Sequence, residues 1–120
     1  MFVEPFEYRR AGSIEEATAV LRAYGERARP LAGGQSLVPM VNLGLVQPEV
    51  LVDIGGIAEL RGVTRRDGTL VVGAVTRYRD LEGDGPISRD LPVLAEAVRH
   101  VGNGRVRNRG TLGGSLAHSD

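Results

Sequence analysis

No cysteine occurs among the 120 residues, so the chain builds no disulfide, no thiolate zinc site and no iron–sulfur cluster of its own. Lysine is missing too, since all 15 basic residues are arginine. That removes Schiff-base chemistry and the lysine of a P-loop, and with it a Walker-type ATPase. Aromatic residues make up only 4% and none follows Tyr78, too few for a platform on which nucleic-acid bases stack. There is no net charge, 15 acidic residues cancelling the 15 arginines, and so no whole-chain attraction to nucleic acid or membrane surfaces. No apolar run approaches the roughly 18 residues of a membrane span. Met1 to Arg10 alternates apolar and charged residues without a signal-peptide core, which predicts a cytoplasmic protein.

What is present is a chain of one ordinary domain's length, 42% hydrophobic, enough for a modest core. Its 17 glycines are about twice the average share. They fall in clusters rather than in a repeat, the mark of special backbone sites. Phe2, Pro5, Phe6 and Tyr8 suggest a short edge strand. Ser13 and Glu16 have capping-box spacing, and Ile14, Ala17, Val20, Leu21 and Tyr24 share a face, which predicts a helix over 14–24 closed by Gly25. Arg29 to Ala32 reads as a strand entering Gly33-Gly34-Gln35-Ser36, after which Leu37, Met40, Val41 and Leu43 have helical spacing.

Val50 to Ile54 is a nearly all-apolar run between Pro48 and Gly55, the pattern of a strand covered on both faces. Residues 61–66 and 69–73, joined by Asp67-Gly68, form a predicted hairpin. A short helix is expected to end at Leu81, a loop over 83–86, and a further helix through Leu91, Leu94, Ala95 and Val98. From Gly102 to Asp120 the chain is rich in glycine and arginine with little periodicity, and is expected to be mostly loop. This order of elements predicts a mixed α+β domain.

Two glycine turns stand out as candidate sites. In Ala32-Gly33-Gly34-Gln35-Ser36 a glycine pair after a strand lets backbone approach a ligand, and the start of the next helix aims free amides outward, as a phosphate site requires. Ser36 either caps that helix or donates to the phosphate; a plain strand-to-helix turn is the simpler alternative. The second turn, Gly110-Thr111-Leu112-Gly113-Gly114-Ser115, follows Arg105, Arg107 and Arg109, three cations placed to balance an anion. The alternative there is an arginine-rich solvated loop, against which Thr111 to Leu116 is too small and apolar. Neither turn has the Gly-x-Gly-x-x-Gly fingerprint of a Rossmann unit, so a nucleotide is held differently.

Residues 32–40 (Ala-Gly-Gly-Gln-Ser-Leu-Val-Pro-Met), Val52-Asp53-Ile54, Val72 to Thr76 and Arg107 to Gly114 occur in this order. Together they resemble the FAD-binding medium subunit of molybdenum hydroxylases, the family of carbon monoxide dehydrogenase medium subunits and the flavin domain of xanthine dehydrogenase. The resemblance implies a two-subdomain flavin-binding fold of the vanillyl-alcohol-oxidase type, truncated here. Residues 1–55 would be the first FAD-binding subdomain and 56–120 the start of the second, with the C-terminal domain absent. It implies FAD as cofactor, with Ala32, Gly33, Gly34, Gln35, Ser36 and Leu37 from one turn and Thr111, Leu112, Gly113, Gly114 and Ser115 from the other around the diphosphate. Asp120 would lie nearer the ribityl chain or ring, with His118 as its neighbour. Ser115 stands where relatives commonly carry Asn or Asp, Gly104 where proline is frequent, and Asn42 and Gly44 where basic residues are usual.

The function so implied is electron transfer: electrons from a molybdenum-cofactor large subunit pass through an iron–sulfur small subunit to FAD and on to an external acceptor. No catalytic side chain and no metal ligand set is assigned, because neither His100 nor His118 stands beside a paired carboxylate or a nucleophile motif. A flavin-fold fragment serving only in subunit interaction is the alternative. Nucleic-acid binding through Arg99, Arg105, Arg107 and Arg109 is disfavoured by the lack of aromatics.

Overall fold

A computed structural model of the chain describes residues 3–83 and 85–119. It has mixed helices and strands in two compact units, Met1–Ala58 and Glu59–Asp120.

The first unit is built on a three-stranded parallel sheet in the order β1-β3-β2, with β1 at Glu7–Arg10, β2 at Ala28–Leu31 and β3 at Val50–Asp53. Val50, Leu51 and Val52 are at most 3% exposed, as an all-apolar central strand requires. The register aligns Glu7 and Ala28 with Val50, and Arg10 and Leu31 with Asp53. All three strands therefore end at one edge of the sheet, where open parallel sheets bind ligands. Helix α1, Ile14–Tyr24, starts as its sequence predicts: Ser13 Oγ accepts from Glu16 N (3.1 Å) and Glu16 Oε2 accepts from Gly12 N (2.9 Å). Helix α2 runs from Leu37 to Asn42, with Pro39 in its first turn.

The second unit opens with the hairpin of β4, Val63–Arg66, and β5, Thr69–Val72. Asp67 (φ 51°) and Gly68 (φ 76°) supply the two positive φ angles of its turn. Short helices follow: α3 Tyr78–Glu82, α4 Pro86–Asp90 and α5 Pro92–Arg99. Tyr78, Leu81, Ile87, Ala95 and Val98 form the core, and the hairpin's Val63, Leu70 and Val72 pack against it.

Residues 102–119 depart from the loop expected of them. They form α6, Gly104–Arg109, and α7, Leu112–His118. Each is started by a side-chain cap: Asn103 Oδ1 accepts from Arg105 N (3.0 Å) and Val106 N (3.2 Å), and Thr111 Oγ1 accepts from Gly114 N (3.0 Å). These caps supply what periodicity cannot in helices of six or seven residues. Helix α4 was likewise not foreseen beside Pro86, which takes its first turn. Among the described residues, no helix is long and apolar enough to cross a membrane, and no group of His, Cys, Asp or Glu side chains is arranged to hold a metal ion.

Candidate functional site

The first glycine turn lies at the carboxyl edge of the parallel sheet, leaving β2 and entering α2. Its backbone N–H groups from Ala32 through Leu37 have no acceptor among the described residues. The first internal bond of the following helix is Val38 N to Gly34 O, 3.1 Å. Ser36 occupies the cap position with a helical backbone (φ −110°, ψ −47°), and its hydroxyl makes no capping bond. Gln35 folds back, donating from Nε2 to Gly33 O at 3.4 Å, while Leu37 is half-buried. Successive free amides along one small turn offer the donors that an anion accepts from.

A support lies behind this turn. Ile54 N donates to Leu31 O (2.9 Å), and a Cβ on Gly55 would stand 3.7 Å from Ala32 O. Asp53 Oδ1 accepts from Gly55 N (2.8 Å), and the other Asp53 oxygen accepts from the Tyr8 phenol. That hydrogen bond holds the Tyr8 phenol above its ordinary pKa, with burial adding in the same direction. Tyr8 and Asp53 are thus structural supports of the turn, a role that sequence reading did not assign them: it placed Tyr8 in an edge strand and Asp53 in the Val52-Asp53-Ile54 motif at the end of an apolar strand.

The second turn is differently made. Gly110 N donates to Val106 O (2.6 Å), Leu112 N to Thr76 O (3.2 Å), Gly113 N to Ala74 O (3.0 Å), Gly114 N to Thr111 Oγ1 (3.0 Å) and Ser115 N to Thr111 O (3.2 Å). Only the Thr111 amide in this run lacks an acceptor among the described residues. Thr111 itself is 5% exposed and bridges to Arg77. The segment Ala74 to Tyr78, with the helix caps, has taken the donors that a phosphate would use. What this turn still presents is a side chain: Ser115 is exposed, and its Oγ accepts from the phenol of buried Tyr78.

The glycines have reasons of their own. Gly34 sits at φ 76°, and a Cβ there would come within 3.0 Å of Val38 Cγ2. A Cβ on Gly113 would lie 2.5 Å from Ala74 O. In both cases the missing side chain leaves room for the protein's own atoms, whereas a glycine pair read from sequence suggests room for a ligand. The arginines upstream of the second turn also divide. Arg107 pairs through Nε with Glu82 and donates from Nη1 to Val101 O (3.0 Å), so it is spent inside its unit, while Arg105 and Arg109 remain exposed. Asp120 lies outside the described residues.

Comparison with known proteins agrees on a single family. Residues 4–120 match the family described as the FAD binding domain in molybdopterin dehydrogenase. The chain is 47% identical over 113 residues to the carbon monoxide dehydrogenase medium chain of Hydrogenophaga pseudoflava, covering 94% of this chain and 39% of that one. It is 44% identical over 115 residues to the 6-hydroxypseudooxynicotine dehydrogenase complex subunit alpha of Paenarthrobacter nicotinovorans, covering 96% and 39%. A solved structure of carbon monoxide dehydrogenase from Hydrogenophaga pseudoflava matches with a TM-score of 0.96 at 46% identity, over all of this chain and 42% of that one. The chain thus spans 39% of the length of both curated relatives.

Proposed function

We propose, since the chain belongs to the family of FAD binding domains in molybdopterin dehydrogenases, that it binds FAD and serves as the electron-transfer component of a molybdenum-containing hydroxylase. The observation that carries this reading is the run of unpartnered amides from Ala32 to Leu37. Donors without acceptors, on a turn at the carboxyl edge of a parallel sheet, fit the FAD diphosphate in hydrogen-bonding sense and in charge.

Ala32, Gly33, Gly34, Gln35, Ser36 and Leu37 hold the diphosphate chiefly through their N–H groups, and the free Ser36 hydroxyl adds a donor. Of the second turn, Ser115 contributes its hydroxyl and Thr111 its remaining amide, while Leu112, Gly113 and Gly114 line the diphosphate by close backbone approach, because their amides are occupied. Asp120 keeps the role that the resemblance implies, near the ribityl chain or ring. Residues 1–55 and 56–120 act as the two FAD-binding subdomains of a vanillyl-alcohol-oxidase-type fold, continued in the longer relatives.

Bound FAD supplies the redox chemistry; the chain holds and orients it. Partners are a molybdenum-cofactor large subunit and an iron–sulfur small subunit, a division of labour that suits a chain without cysteine. Titration of the full chain with FAD, read by flavin fluorescence and by the thermal midpoint, tests the reading. Saturable binding with a stabilisation of about 2.7 kcal/mol at a hundredfold excess over Kd is expected. A folded chain whose midpoint and fluorescence ignore FAD would overturn it.

A further inference from the structure

The second glycine turn has spent its backbone donors, yet it keeps one exposed hydroxyl directly backed by a buried one. Tyr78 is 5% exposed and locked in the core of its unit beside Leu81 and Val98. Its backbone N donates to Gly110 O (3.0 Å), and its ring edge lies 3.1 Å from where a Cβ on Gly110 would stand. The phenol leaves this core at the first turn of α7, where it donates to Ser115 Oγ. A phenol O–H donates one hydrogen bond, and a serine hydroxyl can accept one while donating its own proton elsewhere. With its acceptor side filled from inside the protein, exposed Ser115 has its O–H left for a group outside it.

We propose that Tyr78 is a positioning residue of this turn: it fixes Ser115 and polarises its hydroxyl, so that Ser115 O–H donates to an anionic group of the bound ligand. The inference rests on the FAD reading above and deepens it, the anionic group being a phosphate of FAD. Two hydroxyls in series strengthen each other, because donation into Ser115 Oγ makes its own proton a better donor. Tyr78 touches no ligand. Its effect passes through Ser115 alone, which makes the two residues one energetic unit.

The experiment is a double-mutant cycle in the full chain, with FAD affinity from fluorescence titration and the thermal midpoint of each apo variant measured in parallel. Ser115→Ala is expected to weaken FAD binding about tenfold, the scale of a hydrogen bond to a charged group. Tyr78→Phe, which keeps the ring and loses the phenol oxygen, is expected to weaken it a few-fold, and the double variant to bind no worse than Ser115→Ala alone. Ser115→Thr, which keeps a hydroxyl, is expected to restore affinity. A Tyr78→Phe chain that melts earlier but binds FAD like the unaltered chain would overturn the proposal, as would losses that multiply in the double variant. Ser115 is exposed, so Ser115→Ala opens no core cavity; its apo thermal midpoint shows it folded, and unchanged affinity in the folded variant is equally fatal. An unaltered chain without saturable FAD binding defeats the FAD reading itself, whereas saturable binding indifferent to both substitutions defeats only the relay.

Discussion

Gly113 has no room for a side chain, because a methyl group there would also come within 2.7 Å of Ala74 Cβ. The neighbour is a backbone segment anchored by its own hydrogen bonds, so it cannot step aside cheaply. Gly113→Ala is therefore expected to cost about 1–3 kcal/mol of stability in the absence of any ligand, read as a lower thermal midpoint of the apo chain. Sequence placed this glycine in a candidate ligand turn but did not reveal Ala74 as its neighbour, since one letter serves for close approach to a ligand and to the chain itself. Tyr8 makes a second residue-level prediction. Its phenol pKa is raised by the hydrogen bond to Asp53. A raised pKa means that the pair stabilises the fold at pH values below the phenol's unfolded pKa, and that this contribution is lost as pH rises through the folded one. Thermal melts of the unaltered chain and of Tyr8→Phe should thus differ at neutral pH and converge in strong alkali.

Among elements, those with many periodic residues were legible and the shortest were not. Helix α1 has eleven residues, a capping box and a closing glycine, and sequence located both its ends. The central strand was legible because apolar residues fill it, and the hairpin because Asp-Gly fits few other conformations. Helices α6 and α7 escaped because glycines at 104, 113 and 114 and arginines at alternate positions hide any apolar stripe. Their signals were Asn103 and Thr111, residues as common in loops as at helix starts. The weight resting on such a cap is testable: Thr111→Ala is expected to cost about 1 kcal/mol or somewhat more, because Thr111 is also buried. Ser13→Ala on the longer α1 should cost about 1 kcal/mol or less. Urea denaturation of the two variants side by side gives the comparison.

At the scale of the molecule, four motifs spread from Ala32 to Gly114 made the family legible, and the match over residues 4–120 agrees with them. The division of labour between the turns was not legible. It depends on Ala74 and Thr76, which accept from Gly113 and Leu112 respectively across a wide sequence separation that no local pattern encodes. The same difference sets two clocks for amide hydrogen exchange. Unpartnered N–H groups from Ala32 to Leu37 should exchange with deuterium nearly as fast as those of an unfolded peptide, while Leu112, Gly113 and Gly114 must wait for their unit to open. On adding FAD, the first set should slow sharply and the second should change only as far as the unit as a whole is stabilised, so one exchange experiment reports occupancy from one turn and integrity from the other.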